Sequence, residues 1–180
     1  GAMLVPLNLR LSPTEMTRQA RDAAPVLAVV DADNAPMWKA AWPAGMPGAA
    51  TVILATATTP SLVCAGPRDT EAVPRQDAPE LGALMLYTAA VDGHARGAVL
   101  AQSQLTASAQ QIAQTWGLTA EDRWLGVLPL FHAAGIGLSL ALLGAGGACV
   151  LLPRFDPAAA VAAVDSHRVT VCATFAPMLG

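Results

Sequence analysis

Residues 124–153 read WLGVLPLFHAAGIGLSLALLGAGGACVLLP, thirty residues without a formal charge. A run of that length exceeds the ~20 apolar residues needed to cross a bilayer, so its reading separates two fold classes. Pro129, His132 and six glycines interrupt it, and the residue types change along its length. A spanning helix requires about 18 uninterrupted apolar residues, and this run does not supply them. The pattern predicts a strand over 124–128, a turn, a helix over 135–143, a glycine turn and a strand over 149–152. Both strands are near-continuously hydrophobic, as strands are when a parallel sheet is covered on both faces. The fold class expected is therefore α/β, with mostly parallel sheets flanked by helices.

The same rhythm continues on both sides. Towards the N-terminus a short strand is expected over 4–8. Ser12-Pro13-Thr14-Glu15 then carries an N-cap serine, a proline at the first helical position and a glutamate placed for a capping box. That helix ends before Pro25, a strand follows over 26–31, a weak helix over 37–42 and a strand over 51–55. Beyond these, strands are expected over 84–88 and 98–100 and a helix over 102–116. After the apolar run, Asp156-Pro157 opens a further helix, and a strand is expected over 169–173. Residues 66–80, GPRDTEAVPRQDAPE, form the one sustained polar, proline-containing stretch. They are read as a linker between a first lobe, 1–65, and a second, 81–180.

Composition narrows function. The chain is 54% hydrophobic and only 13% charged, with net charge −3 and a single lysine, Lys39. No basic stripe exists to release counterions from a polyanion, so a general nucleic-acid partner is excluded. High hydrophobicity and the absence of charge blocks exclude a disordered tail. Cys64, Cys149 and Cys172 are far apart and form no CxxC pair. They are expected to be buried small hydrophobes in a reducing, cytoplasmic compartment. His94 and His167 lie far from any ligand-spaced cluster, so no metal site is expected among them. No P-loop motif and no GxSxG elbow occurs.

The order of several segments is more specific than any one of them. Leu4-Val5-Pro6-Leu7-Asn8, Arg10-Leu11-Ser12-Pro13, and Tyr87-Thr88 with Gly93 and Gly97 come first. Gly117-Leu118-Thr119-Ala120-Glu121-Asp122-Arg123 and Leu128-Pro129-Leu130-Phe131-His132-Ala133-Ala134-Gly135 follow. Leu151-Leu152-Pro153-Arg154-Phe155-Asp156-Pro157 and His167-Arg168-Val169-Thr170 complete the set. Together these resemble the adenylate-forming (AMP-binding) superfamily, in its acyl-CoA synthetase or fatty-acid–CoA ligase branch. The resemblance implies an acyl-CoA synthetase-like ligase that activates a carboxylic acid, expected to be fatty, with ATP. An acyl-adenylate and pyrophosphate form, and the acyl group passes to CoA. The chain reads as an internal piece of the large N-terminal domain. It lacks the downstream motifs for adenine and ribose, the magnesium-binding glutamate, and the C-terminal domain with its catalytic lysine. ATP, Mg2+ and CoA are thus implied for a longer parent, while this polypeptide alone is expected to form no acyl-adenylate. A catalytically dead remnant, acting as a binding or interaction module, is the alternative.

The resemblance also assigns candidate residues. The family's phosphate loop runs Tyr-Thr-Ser-Gly-Thr-Thr-Gly-x-Pro-Lys-Gly, against Tyr87-Thr88-Ala89-Ala90-Val91-Asp92-Gly93-His94-Ala95-Arg96-Gly97 here. Thr88, Gly93, Arg96 and Gly97 are the implied nucleotide-binding residues, with Arg96 keeping the charge of the lysine. The loop is degenerate: hydroxyls are missing at Ala89, Val91 and Asp92, and glycine at Ala90. Each lost bond to a charged phosphate removes ~1.5–3 kcal/mol. A like charge at Asp92, ~4 Å from a phosphate, costs on the order of 4 kcal/mol at an effective dielectric of 20. The other reading of Arg96 is a solvated arginine paired with Asp92. His132 and Gly135 are the implied substrate-binding residues. A histidine in an apolar run is otherwise a hydrogen-bonded core residue, and Gly135 otherwise serves packing. No catalytic residue is expected in this stretch.

Overall fold

The computed structural model describes residues 2–42, 50–54, 79–89, 94–152, 155–175 and 178. Two compact units divide the chain. One comprises Gly1–Pro6, Ala78–Leu86 and Ala98–Gly180; the other comprises Leu7–Asp77 and Tyr87–Gly97. Each unit is therefore assembled from separated pieces. Most of the stretch read as a linker, 66–78, lies outside the described residues, and 79 and 80 form a turn.

The first unit is built around the run that decides the fold. Strand β5 (Arg123–Gly126) is central in a three-stranded sheet, between β6 (Ala148–Leu151) and β7 (Val171–Cys172). Both pairings are parallel, with Trp124 opposite Cys149 on one side and Val171 on the other. Helix α4 (Ala133–Gly144) links β5 to β6, and α5 (Pro157–His167) links β6 to β7. The core joins Trp124, Leu125, Val127 and Leu128 to Leu138 and Leu142 of α4 and to Ala160 and Ala163 of α5. Burying each large side chain of this kind contributes about 1.5–3 kcal/mol.

No helix among the described residues is long and apolar enough to cross a membrane. The uncharged run is instead divided by the turn before α4 and by the glycines after it. Gly146 takes φ 86°, and a Cβ at Gly147 would lie 2.7 Å from the Asp122 carbonyl. The remaining elements of this unit are β3 (Gly82–Tyr87), paired with β4 (Gly97–Ala101), and α3 (Gln102–Trp116). Leu84 and Leu86 of β3 meet Ile136 of α4 in a second small core.

The second unit holds α1 (Pro13–Ala23), β1 (Leu27–Asp31), α2 (Ala35–Ala41) and β2 (Ala50–Leu54). β1 and β2 pair in parallel. The capping box forms as expected: Glu15 N–H donates to Ser12 Oγ at 3.3 Å, and Ser12 N–H donates to Glu15 Oε2 at 2.9 Å. The Ser12 hydroxyl, its backbone N–H and the charge of Arg18 hold the Glu15 carboxyl below its usual pKa. α1 ends at Ala24, which takes the left-handed conformation at φ 42°. Met16 and Ala20 of α1 pack with Ala28, Trp38 and Ala41.

Three expectations are corrected. Residues 4–8 form only an isolated bridge, Leu4 to Leu84, because Pro6 has no N–H to carry a ladder onward. The strand expected over 169–173 is two residues long. Cys172 is exposed, not buried; it lies on β7, which among the described strands pairs only with β5 and so has few neighbours to cover it. Cys149 is half-buried, and Cys64 lies outside the described residues.

Candidate functional site

The segment after β5 turns at once into α4. His132 is the N-cap residue: its N–H donates to the Pro129 carbonyl at 3.1 Å, and its own carbonyl accepts from Ile136 N–H at 3.1 Å. Its ring is exposed and lies against Phe131, with centroids 4.6 Å apart and planes tilted by 55°. The side chain makes no capping bond, and the residue is exposed rather than part of the core. It follows the carboxyl end of the central strand, where open parallel sheets receive ligands. Gly135 is buried, and a Cβ there would sit 2.8 Å from the Pro129 carbonyl carbon and 2.9 Å from the Leu128 oxygen. Its lack of a side chain is therefore explained by the turn's own backbone. Gly137 has only Ile112 Cδ1, at 3.7 Å, near its missing Cβ.

The phosphate-loop candidates lie in the second unit, except that Gly93 falls outside the described residues. Thr88 and Arg96 are brought together as a rung. Thr88 N–H donates to the Arg96 carbonyl at 3.0 Å, and Arg96 N–H donates to Thr88 Oγ1 at 3.3 Å. Both residues are exposed. Gly97 opens β4 directly after the rung. The Arg96–Asp92 pairing considered above lies outside the described residues.

One constellation here was not read from the sequence. Tyr87 donates its hydroxyl to Asp22 Oδ2 at 2.8 Å, with the Gln19 carbonyl a second acceptor at 3.2 Å. Partial burial raises the phenol's pKa strongly, and the hydrogen bond to Asp22 and its negative charge add to the shift. The tyrosine is a neutral donor across any working pH. Gln19 is buried, and its Oε1 has no partner among the described residues. Asp22 offered a signal: a carboxylate in the last turn of α1 opposes the helix dipole and calls for a compensating donor.

Nucleotide phosphates fit the rung's exposed cation and hydroxyl. Among the described residues no group of three or more His, Cys, Asp or Glu converges.

A parallel α/β layer with a Pro-Leu-Phe-His turn at the end of its central strand, and a Tyr-Thr…Arg-Gly loop between two strands, defines an adenylate-forming domain. The family described as AMP-binding enzyme matches residues 1–179, and the chain belongs to it. Among curated relatives, indoleacetate–CoA ligase of Aromatoleum aromaticum is 33% identical over 179 residues, covering 95% of this chain and 34% of that protein. A feruloyl-CoA synthase of Amycolatopsis is 30% identical over 175 residues, covering 95% of this chain and 33% of that protein. The chain thus spans about a third of the length of these relatives.

Among solved structures, one from Rhodopseudomonas palustris assigned as a long-chain-fatty-acid CoA ligase superposes with a TM-score of 0.80 at 34% identity. It covers all of this chain and 46% of that one. O-succinylbenzoate CoA synthetase of Bacillus subtilis, in complex with ATP and magnesium ion, shares the fold at a TM-score of 0.70 and 22% identity. It covers 98% of this chain and 35% of that one.

Proposed function

We propose that this chain forms the acid- and phosphate-facing part of an ATP-dependent acid–CoA ligase. The family match over 1–179 carries this reading, and the solvent-facing Thr88–Arg96 rung supports it. In the reaction, a carboxylate oxygen attacks the α-phosphorus of ATP, the bond to the bridging oxygen breaks, and pyrophosphate leaves. The CoA thiolate then attacks the acyl carbon and displaces AMP. Arg96 and the Thr88 hydroxyl, with Gly93 and Gly97 allowing close approach, would hold the phosphates. His132 and Gly135 would line the acid site. Mg2+ would neutralise phosphate charge when bound.

For the acid, a fatty chain is the first reading, and the long-chain ligase likeness favours it. An aryl acid is the second, favoured by the indoleacetate and feruloyl relatives. Such a ligase would work in the cytoplasm. The remnant reading is favoured by the hydroxyl-free run Ala89-Ala90-Val91-Asp92.

Two measurements test this. ATP–pyrophosphate exchange by this chain over short, medium, long-chain and aromatic acids should stay at the no-protein blank. Exchange above the blank would overturn its expected inactivity. ATP binding by calorimetry separates the remaining readings. Arg96→Ala should weaken binding about tenfold, or ~1.4 kcal/mol, if the loop holds phosphate. A loss within about twofold would favour the remnant.

A further inference from the structure

We propose that Asp22 and Tyr87 are a positioning pair that holds the Thr88–Arg96 rung in the pose that receives an anion. The inference rests on the phosphate-loop reading above. In this chain helix α1 would set the loop's geometry, in place of the loop's own hydroxyls.

The argument starts from what the loop lacks. Residues 89–91 are Ala-Ala-Val and can make no side-chain hydrogen bond. Among the described residues the rung is joined by two bonds, Thr88 N–H to Arg96 O and Arg96 N–H to Thr88 Oγ1, and both residues are exposed. Two such bonds in contact with water are each weak and do not alone fix a loop against solvent competition. The residue directly before the rung adds a tie to a distant element. Tyr87 is half-buried; its hydroxyl reaches the exposed Asp22 Oδ2 at 2.8 Å, sixty-five positions earlier in the chain, and lies 3.2 Å from the Gln19 carbonyl. Asp22 is itself set on α1, whose start is held by the Ser12–Glu15 capping box and whose buried face packs on α2. Tyr87 is therefore tied to a rigid element, and Thr88 is the next residue along the backbone.

Among the described residues the bonding leaves suitable groups exposed. Thr88 Oγ1 accepts from Arg96 N–H, and a hydroxyl that accepts one bond can still donate its own proton. The Arg96 guanidinium is exposed beside it. Charge favours the arrangement too. A carboxylate in the last turn of α1 opposes the helix dipole; Arg21 in the same turn supplies a cation, and the tyrosine hydroxyl supplies a donor to the carboxylate itself. Neither Asp22 nor Tyr87 would touch the anion; both act through the rung.

The test uses this full chain, with tripolyphosphate as the probe and amide hydrogen exchange as a second readout. Tyr87→Phe removes one oxygen and keeps the ring, while Asp22→Ala removes the acceptor and Asp22→Asn retains one. Tyr87→Phe and Asp22→Ala should speed exchange at Thr88 N–H and Arg96 N–H about tenfold, leaving 28–30 of β1 unchanged. Both should weaken tripolyphosphate at least about fivefold, and the double variant should be no worse than either single change. Asp22→Asn should return affinity to within about twofold of the parent, which general destabilisation of α1 would not do.

Unchanged exchange at the rung overturns the pair. So does faster exchange with undiminished affinity, or exchange that rises equally throughout β1. Should the parent chain bind no tripolyphosphate while exchange at the rung still rises in Tyr87→Phe, the pair stands and the phosphate reading falls.

Discussion

The turn at 129–135 and the rung at Thr88–Arg96 are each held in place by different means. In the turn, backbone meets backbone: the His132 N–H bonds the Pro129 carbonyl, and Gly135 lies where any Cβ would collide with that same residue. In the rung, side chains do the holding: the Thr88 hydroxyl bonds the Arg96 N–H, and Tyr87 reaches across to Asp22. A backbone-defined site tolerates changes of exposed side chains but not of volume at the contact. A side-chain-defined site behaves in the opposite way.

The largest expected effect attacks the backbone-held turn. Gly135→Ala should cost about 3 kcal/mol, because main-chain carbonyls at the contact cannot move aside without disturbing β5. Urea unfolding followed by hydrogen exchange in α4 measures it. Gly137→Ala is the control two residues on: its new methyl meets only a flexible isoleucine, so it should be neutral or stabilise by about 0.5–1 kcal/mol through helix propensity. Equal losses for the two glycines would remove the basis of the contrast.

A smaller effect is expected at the rung. Thr88→Val deletes one acceptor at an exposed site and should cost about 1 kcal/mol or less in unfolding experiments. A loss matching that of Gly135→Ala would show that the rung, too, is fixed by packing.

The smallest effect is a dependence on pH at the opposite end of β5 from the His132 turn. Asp122 Oδ1 accepts from the Thr170 hydroxyl at 2.7 Å, and Oδ2 accepts from the Thr119 N–H at 2.8 Å and hydroxyl at 3.0 Å. The Thr170 bond first, then those from Thr119, hold its pKa below the ordinary 3.8. The charged form is thus favoured in the folded state. Its contribution is present above the unfolded value and disappears as pH falls through the lower folded value. Asp122→Asn should flatten the stability profile of the first unit below about pH 4, read by acid titration in mild urea. An unaltered profile would remove Asp122 from the account.

Much of this was legible in order and type. The capping box at Ser12 and Glu15, the Asp156-Pro157 helix start and the helix–turn–strand division of 124–153 are local patterns, and each formed. The aspartate caps through its side chain, which accepts from Ala159 N–H at 2.7 Å. Strand ends were less legible. Residues 4–8 and 169–173 were both read too long, since a ladder's extent depends on partners and on donors such as the one Pro6 lacks. Glycine at 135 was singled out in the sequence, but its reason, the approach of Pro129, required the turn to be built.

Periodicity and capping chemistry act within a few residues, so the sequence by itself determined the element types, their parallel rhythm and the motif order of the family. The pairing of Tyr87 with Asp22, and of Asp122 with Thr170, was decided only by tertiary structure. These partners lie 65 and 48 positions apart. Neither a tyrosine at a strand end nor an aspartate at a helix end names its partner. Which donor meets which carboxylate depends on how the strands and helices are placed, and no local preference encodes that placement.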